Sequence, residues 1–349
     1  MTPAPIIFCH YGGVPYLKVT LAAAVVTNPE RDVILLGDDR NAPIAREVGA
    51  RFAPFADFTN GPLGSRFRHV YRLVQGATHE HRRLGEDWVR FVFMRWFVID
   101  EYLTREGRQG AFWHFDSDTL LTGPLAATEA SLADLDCTEG CGGGCLNGLV
   151  SSLELLKRFN AHTIALFEDS EYLARQASDF QEHPGWAFTE MRAYQAFRAA
   201  HGLRSERLCV RRNGTIFDEC ICFDDGFETE PGGDGRPLKR LWLRDGALWA
   251  QLRGSSERLR VWGVNLSWVP LEYFEAAWAH VSPSHASPPR IVGRATSLFL
   301  RASPHQTLVR RAESLRTVRT FTQRLRRLPG RLLKAAVGAT GPRPDATGR

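Results

Sequence analysis

The chain has 349 residues, 44% of them hydrophobic and 24% charged, with a formal net charge of +5. This is the balance of an ordinary globular protein with one large or two medium domains, and no stretch approaches the roughly eighteen apolar residues of a transmembrane helix. Seven cysteines, an odd number scattered along the chain, exclude a disulfide scaffold, and the opening MTPAPIIFCHYGG lacks a secretory signal, so the expectation is a cytoplasmic protein.

Residues 6–10 (IIFCH) predict a short buried strand followed by the turn Tyr11-Gly12-Gly13. Pro15 suits a helix start, Leu17, Leu21, Ala24 and Val25 recur at helical spacing, and Asn28-Pro29 ends that helix. Residues 32–37 (DVILLG) predict a second buried strand ending in Asp38-Asp39, residues 43–49 a short helix and residues 50–55 a third strand. Strands alternating with helices at this spacing imply βαβ units and a parallel sheet. Residues 59–84, rich in Arg and His, read as a loop. Residues 87–103 (DWVRFVFMRWFVIDEYL) predict a helix buried on most faces, in which Arg90 and Arg95 need partners because unpaired buried charge is costly.

Residues 111–118 (AFWHFDSD) form an apolar run that ends abruptly in two carboxylates. A buried strand ending this way delivers Asp116 and Asp118 to a sheet edge, where open α/β folds bind ligands. Close carboxylates repel unless a cation lies between them, which points to a hard divalent metal such as Mg²⁺ or Mn²⁺. Beyond the motif, residues 140–148 (GCGGGCLNG) could wrap a ligand, and residues 149–159 look helical. Residues 179–197 combine a turn with a helix from Thr189, and residues 208–266 read as short strands and hairpins. Cys137, Cys141, Cys145, Cys220 and Cys222 lack zinc-site spacing and are read as small thiols.

After Trp268 the pattern decays into a linker at residues 282–289. From Arg290 onward, fourteen Lys and Arg face only Glu313 and Asp345. Leu308, Leu315, Val318, Phe321, Leu325 and Leu328 lie along one side of a basic amphipathic helix. Such a helix either lies on an anionic membrane or covers part of the globular body with its apolar stripe. A nucleic-acid partner is disfavoured, since the tail offers only Phe299 and Phe321 for stacking.

The segments IIFCHYGGVPYL, DVILLGDD, FVFMRWFVIDEYL and FWHFDSDTLL, in that order, resemble a GT-A-fold glycosyltransferase carrying a D-x-D motif. More narrowly, they are similar to bacterial glycosyltransferases of polysaccharide biosynthesis. The resemblance implies a Rossmann-like, mixed and mostly parallel sheet flanked by helices. Residues 1–280 would form the transferase domain, with a nucleotide-binding half at 1–120 and an acceptor half at 121–280. Residues 281–349 would be a linker and basic helical tail. It implies a metal-dependent, hexosyltransferase-like enzyme moving sugar from a UDP- or GDP-sugar to a cell-surface glycan precursor, with a lipid-linked acceptor at the inner membrane face as the expectation that would give the basic tail a purpose.

Carried over residue by residue, Asp118 would ligate Mn²⁺ or Mg²⁺ directly, and Asp116 would face the ribose or reach the metal indirectly. His10 and Tyr11 would lie against the nucleotide base, which Asp38 or Asp39 could bond, and Arg90 could pair with a phosphate or a carboxylate. Glu190, in WAFTEM, is the expected general base, with Asp218 and Glu219 behind it. Asn265 stands where the family pattern has a metal-binding His, as a candidate oxygen ligand. The alternatives are a sugar-nucleotide nucleotidyltransferase, whose glycine-rich loop is missing at Tyr11-Gly12-Gly13-Val14-Pro15, and a nucleic-acid-binding protein acting through the arginine-rich tail.

Overall fold

A computed structural model describes residues 3–79, 86–282 and 306–326. A seven-stranded sheet forms the centre, in the order β3 (Arg51–Pro54), β2 (Val33–Gly37), β1 (Ile6–His10), β4 (Phe112–Phe115), β7 (Cys145–Val150), β6 (Cys137–Gly140), β8 (Ser205–Arg207). The first four strands run parallel, β7 is antiparallel to β4 and β6, and β8 is parallel to β6. The fold is mixed α/β, with a mostly parallel sheet flanked by helices.

The continuous apolar strands follow from burial on both faces. Ile7 and Cys9 of β1 pack into a core with Phe93, Trp96 and Phe97 of α4 (Glu86–Arg105). Ile6 and Phe8 point into a second core with Leu17 and Leu21 of α1 (Leu17–Thr27). With both faces covered by helices there is no polar alternation to keep, as expected of a parallel sheet.

A second sheet, in the order β12 (Leu241–Arg244), β13 (Ala247–Gln251), β14 (Arg258–Asn265), β5 (Thr119–Leu121), adds β9 (Thr215–Asp218) alongside β14. β5 follows β4 in sequence but pairs antiparallel with β14, Asn265 opposite Thr119. Asp116-Ser117-Asp118 is therefore the joint at which the chain passes from one sheet to the other.

Three readings change, and for the basic segment one of two alternatives is seen. Within residues 59–84, Gly61 precedes a helix, α3 (Pro62–Val70), opened by its proline and anchored by buried Phe67. Residues 149–159 divide between β7 and α6 (Leu153–Glu168), whose start is set by the Ser152 hydroxyl accepting from the Leu155 N–H at 3.2 Å. Past Trp268 the pattern does not decay: α9 (Leu271–Val281) buries Tyr273, Phe274 and Trp278. In the basic segment, α10 (Leu308–Arg326) buries Leu308, Val309, Ala312 and Leu315 against α9 and the second sheet. Its Arg319 pairs with Glu272 at 2.8 Å and Glu275 at 3.0 Å. The described part of the stripe thus covers the body; the side chains of Phe321 and Leu325, and Leu328, lie outside the described residues. No helix among the described residues is long and apolar enough to cross a membrane, and all seven cysteines are free thiols.

Leu308→Ala is expected to destabilise the protein by about 2–5 kcal/mol in urea titration, because it empties a fully buried site. Arg316→Ala, at an exposed position on the same helix, is the matched control. Equal midpoints for the two variants would show that the helix does not contribute to the core.

Candidate functional site

The joint between the sheets is a tight turn, closed by the Thr119 N–H donating to the Asp116 carbonyl at 2.9 Å. Asp116 does not stand alone there. Arg95, buried in the middle of α4, donates from Nη1 to Asp116 Oδ1 at 2.5 Å and from Nη2 to Glu190 Oε1 at 2.9 Å. Glu190 opens α8 (Glu190–His201), where a carboxylate suits the helix dipole. One guanidinium thus joins the end of β4 to the start of α8, and the two carboxylates satisfy a charge that burial would otherwise make costly.

Asp118 is held differently. Asn265 Nδ2 donates to Oδ1 at 3.0 Å, Ser267 Oγ to Oδ2 at 2.7 Å, and the Leu266 N–H to its carbonyl at 2.9 Å. All three come from the end of β14 or just past it, so the second sheet fixes this side chain. Among the described residues no cationic side chain forms an ion pair with Asp118.

These surroundings give three neighbouring carboxylates different characters. Burial raises the pKa of Asp118, the charge of Asp116 adds to this, and the group reaches about 6. Burial would also raise Asp116, but Arg95 outweighs it and holds the carboxyl below the usual range. Glu190 is pushed up to about 7 by burial, against the pull of Arg95 and with the charge of Asp116 adding to the rise. Carboxylates driven apart in this way are the usual basis of divided acid and base roles.

On the side of β1, His10 is buried, its Nδ1 lies 2.9 Å from Ser117 Oγ, and its Nε2 has no hydrogen-bond partner. Burial lowers its pKa, against the charge of Asp38, and favours the neutral imidazole. Tyr11 is 64% exposed, its ring 6.1 Å from that of Phe91. Asp38 accepts from the Gly12 N–H at 2.8 Å and from Asn41 Nδ2 at 3.0 Å. Gly12 takes φ +94° to present that N–H. Asp38 thereby shapes the loop after β1, while Asp39 is exposed next to it.

Two sequence expectations are corrected, that for Asp218 with Glu219 and that for Asn265. Asp218 is closed to any acceptor: its side chain is sealed from solvent in β9, paired with Lys239, which also meets Asp225 at 2.8 Å. Glu219 behind it is bound by Arg207 at 2.8 Å and by the Gly142 N–H at 2.7 Å, so the glycine-rich segment is tied to an internal ion pair. Of the two partners open to Arg90 the structure shows a carboxylate, since it is exposed and pairs with Asp87 at 2.7 Å; the arginine at Asp116 and Glu190 is Arg95, about one and a half turns along the same helix. Asn265 offers its NH₂ to Asp118 and accepts the Ser267 N–H on its oxygen at 3.0 Å, so it clamps a carboxylate instead of presenting an open ligand oxygen. Sequence reasoning missed Ser267 altogether. It flagged Arg95 only as a charge in need of a partner.

Among the described residues, no three His, Cys, Asp or Glu side chains converge into a metal shell. The donors present still fit a hard divalent ion. Asp118 is a half-buried carboxylate with no cationic partner among the described residues, it lies beside the like charge of Asp116, and Ser267 Oγ adds a further oxygen at 2.7 Å. Mg²⁺ in particular is usually held by one or two carboxylates plus substrate phosphates and water, without an all-protein cage.

No family model and no curated protein matches this chain. Among solved structures it is similar to apo mouse xyloside xylosyltransferase 1, at 8% identity and a TM-score of 0.42, over 59% of this chain and 84% of that one. It is also similar to the PaToxG glycosyltransferase, at 10% identity and a TM-score of 0.32, over 58% and 78% respectively. Likenesses this remote say nothing about chemistry, which has to be read from the site.

Proposed function

We propose that this protein is a glycosyltransferase that moves a sugar from a UDP- or GDP-sugar to an acceptor hydroxyl. The observation that supports it is the pair of carboxylates tied by Arg95, ionised Asp116 and raised-pKa Glu190, standing beside the metal-compatible Asp118. Asp118, with Asp116 beside it, would hold Mn²⁺ or Mg²⁺, which supplies Lewis-acid neutralisation of the departing diphosphate. The loop after β1, with His10, Tyr11 and Asp39, borders the nucleoside, and Asp38 fixes its shape.

Glu190 takes the proton of the acceptor hydroxyl as that oxygen bonds to sugar C1 and the C1–O bond to the diphosphate breaks. A base with pKa near 7 is ionised often enough to act and basic enough to accept the proton. Arg95 keeps Glu190 oriented and Asp116 charged. The acceptor we assign is a cell-surface glycan precursor, lipid-linked at the inner membrane face. The arginines beyond α10 offer an anionic membrane surface a means of attachment.

Hydrolysis of a panel of UDP- and GDP-sugars, with and without Mn²⁺, tests this reading. Metal-dependent release of a nucleoside diphosphate from at least one donor is expected. If no donor is hydrolysed and no nucleoside diphosphate raises the melting temperature, the reading fails.

A further inference from the structure

Two exposed aromatic side chains stand next to the residues that hold Asp118. Trp268 directly follows Ser267 and is 62% exposed, and Phe223 is 43% exposed. Their rings meet edge to face with centroids 6.3 Å apart. The two segments are joined behind them, where Cys222 Sγ donates to the Ser267 carbonyl at 3.6 Å.

Trp268 has φ +61°, the left-handed region that costs an ordinary side chain roughly 1–2 kcal/mol. Arg236 Nη2 donates to the Trp268 carbonyl at 3.0 Å and so fixes this peptide, while Arg236 Nε pairs with Asp234 at 2.6 Å. A side chain that buries little of itself and strains its backbone contributes little to stability. Strain of this kind, held in place at the edge of a site, points to a ligand.

The chemistry of the patch selects the ligand. A pyranose has an apolar C–H face for aromatic rings and hydroxyls around its edge, where Arg236 and Asp234 supply donors and acceptors. A nucleobase also stacks, but a base lies a ribose beyond the diphosphate held at Asp118. The platform starts at Trp268, the residue after Ser267, whose hydroxyl binds Asp118. We propose that Trp268 and Phe223 form a stacking platform for a pyranose ring of the acceptor, which makes the acceptor a carbohydrate. This rests on the glycosyl-transfer reading above.

The test uses the full chain and three probes: methyl β-D-glucopyranoside, methyl β-D-galactopyranoside and methyl α-D-mannopyranoside. Saturation-transfer NMR is expected to show ring-proton contact with at least one, lost in Trp268→Ala and Phe223→Ala and kept in Trp268→Tyr. Trp268→Gly relieves the positive φ, so it should melt at a higher temperature than the wild type while losing the contact, which separates the platform from the fold. With an acceptor in hand, Trp268→Ala should raise its KM about tenfold against a smaller change in kcat. The proposal is overturned by contact that persists in both alanine variants, by no contact with any of the three glycosides, or by loss of uridine diphosphate binding with glycoside contact intact. Absence of donor hydrolysis with the platform contact present would overturn the transferase reading alone.

Discussion

Replacing Asp118 by Asn is expected to cut metal-dependent donor hydrolysis by about 10²–10³-fold while the protein stays folded. The amide matches the carboxylate in shape, so an oxygen can still accept from Asn265 Nδ2 or Ser267 Oγ, the two donors that hold Asp118 in the wild type. What disappears is a half-buried negative charge beside Asp116. The leaving diphosphate gains charge as the glycosidic bond breaks, so a group that concentrates a cation there acts mainly on the transition state. Binding linkage gives a second readout. Mn²⁺ with a nucleoside diphosphate should raise the melting temperature of the wild type and leave that of Asp118→Asn unmoved. Mn²⁺-dependent hydrolysis retained in the variant would place the metal elsewhere.

Glu190→Gln should lower kcat by about 10²–10⁴-fold and, at the same time, stabilise the protein at alkaline pH. The sign follows from the carboxyl rising from 4.5 in the unfolded chain to about 7 in the fold. Below pH 4.5 both states hold the proton and nothing is lost. Between 4.5 and 7 the unfolded chain ionises while the folded one keeps its proton, so the contribution of Glu190 to stability falls as pH rises and stays lost above 7. Gln does not titrate, and the variant should exceed the wild type by on the order of 3 kcal/mol above pH 7. Arg95 keeps its pairing with Asp116 in the variant, so no buried charge is orphaned.

The pH profile separates a base from a positioning group. Wild-type kcat should fall about tenfold per unit below pH 7, as Glu190 takes up a proton and can no longer accept one from the acceptor. Glu190→Gln should be low and flat through the same range. An unchanged acid limb in the variant would remove Glu190 from the proton transfer.

The legible parts of this chain are those whose burial is written locally. IIFCH, VILLG and FWHF are unbroken apolar runs because helices cover both faces of their sheet, and the turn signals that bound them mark them as strands. The helix at 86–105 was equally clear. The segment at 149–159 misled because an apolar run of that length serves a strand or a helix, and only the Ser152 cap marks where one gives way to the other. The helix at 271–281 was missed because Glu272 and Glu275 interrupt its apolar side; Arg319, far along the chain, answers both.

The site divides along the same line. That Asp116 and Asp118 follow directly on a buried strand was readable from the apolar run before them, and Glu190 was singled out through the resemblance. Asp218 looked equivalent on the page, two carboxylates beside an apolar strand, and proved to be sealed against Lys239. By itself, then, the sequence determined which segments are buried and that acidic groups lie at the end of a central strand, because apolar periodicity is a property of neighbouring residues. Only the tertiary structure decided which carboxylates are paired, raised or available. That depends on Arg95 reaching Glu190, on Lys239 reaching Asp218, and on β14 bringing Asn265 and Ser267 to Asp118. Charge and burial at a site are set by strand pairing across long stretches of chain, and no local pattern records it.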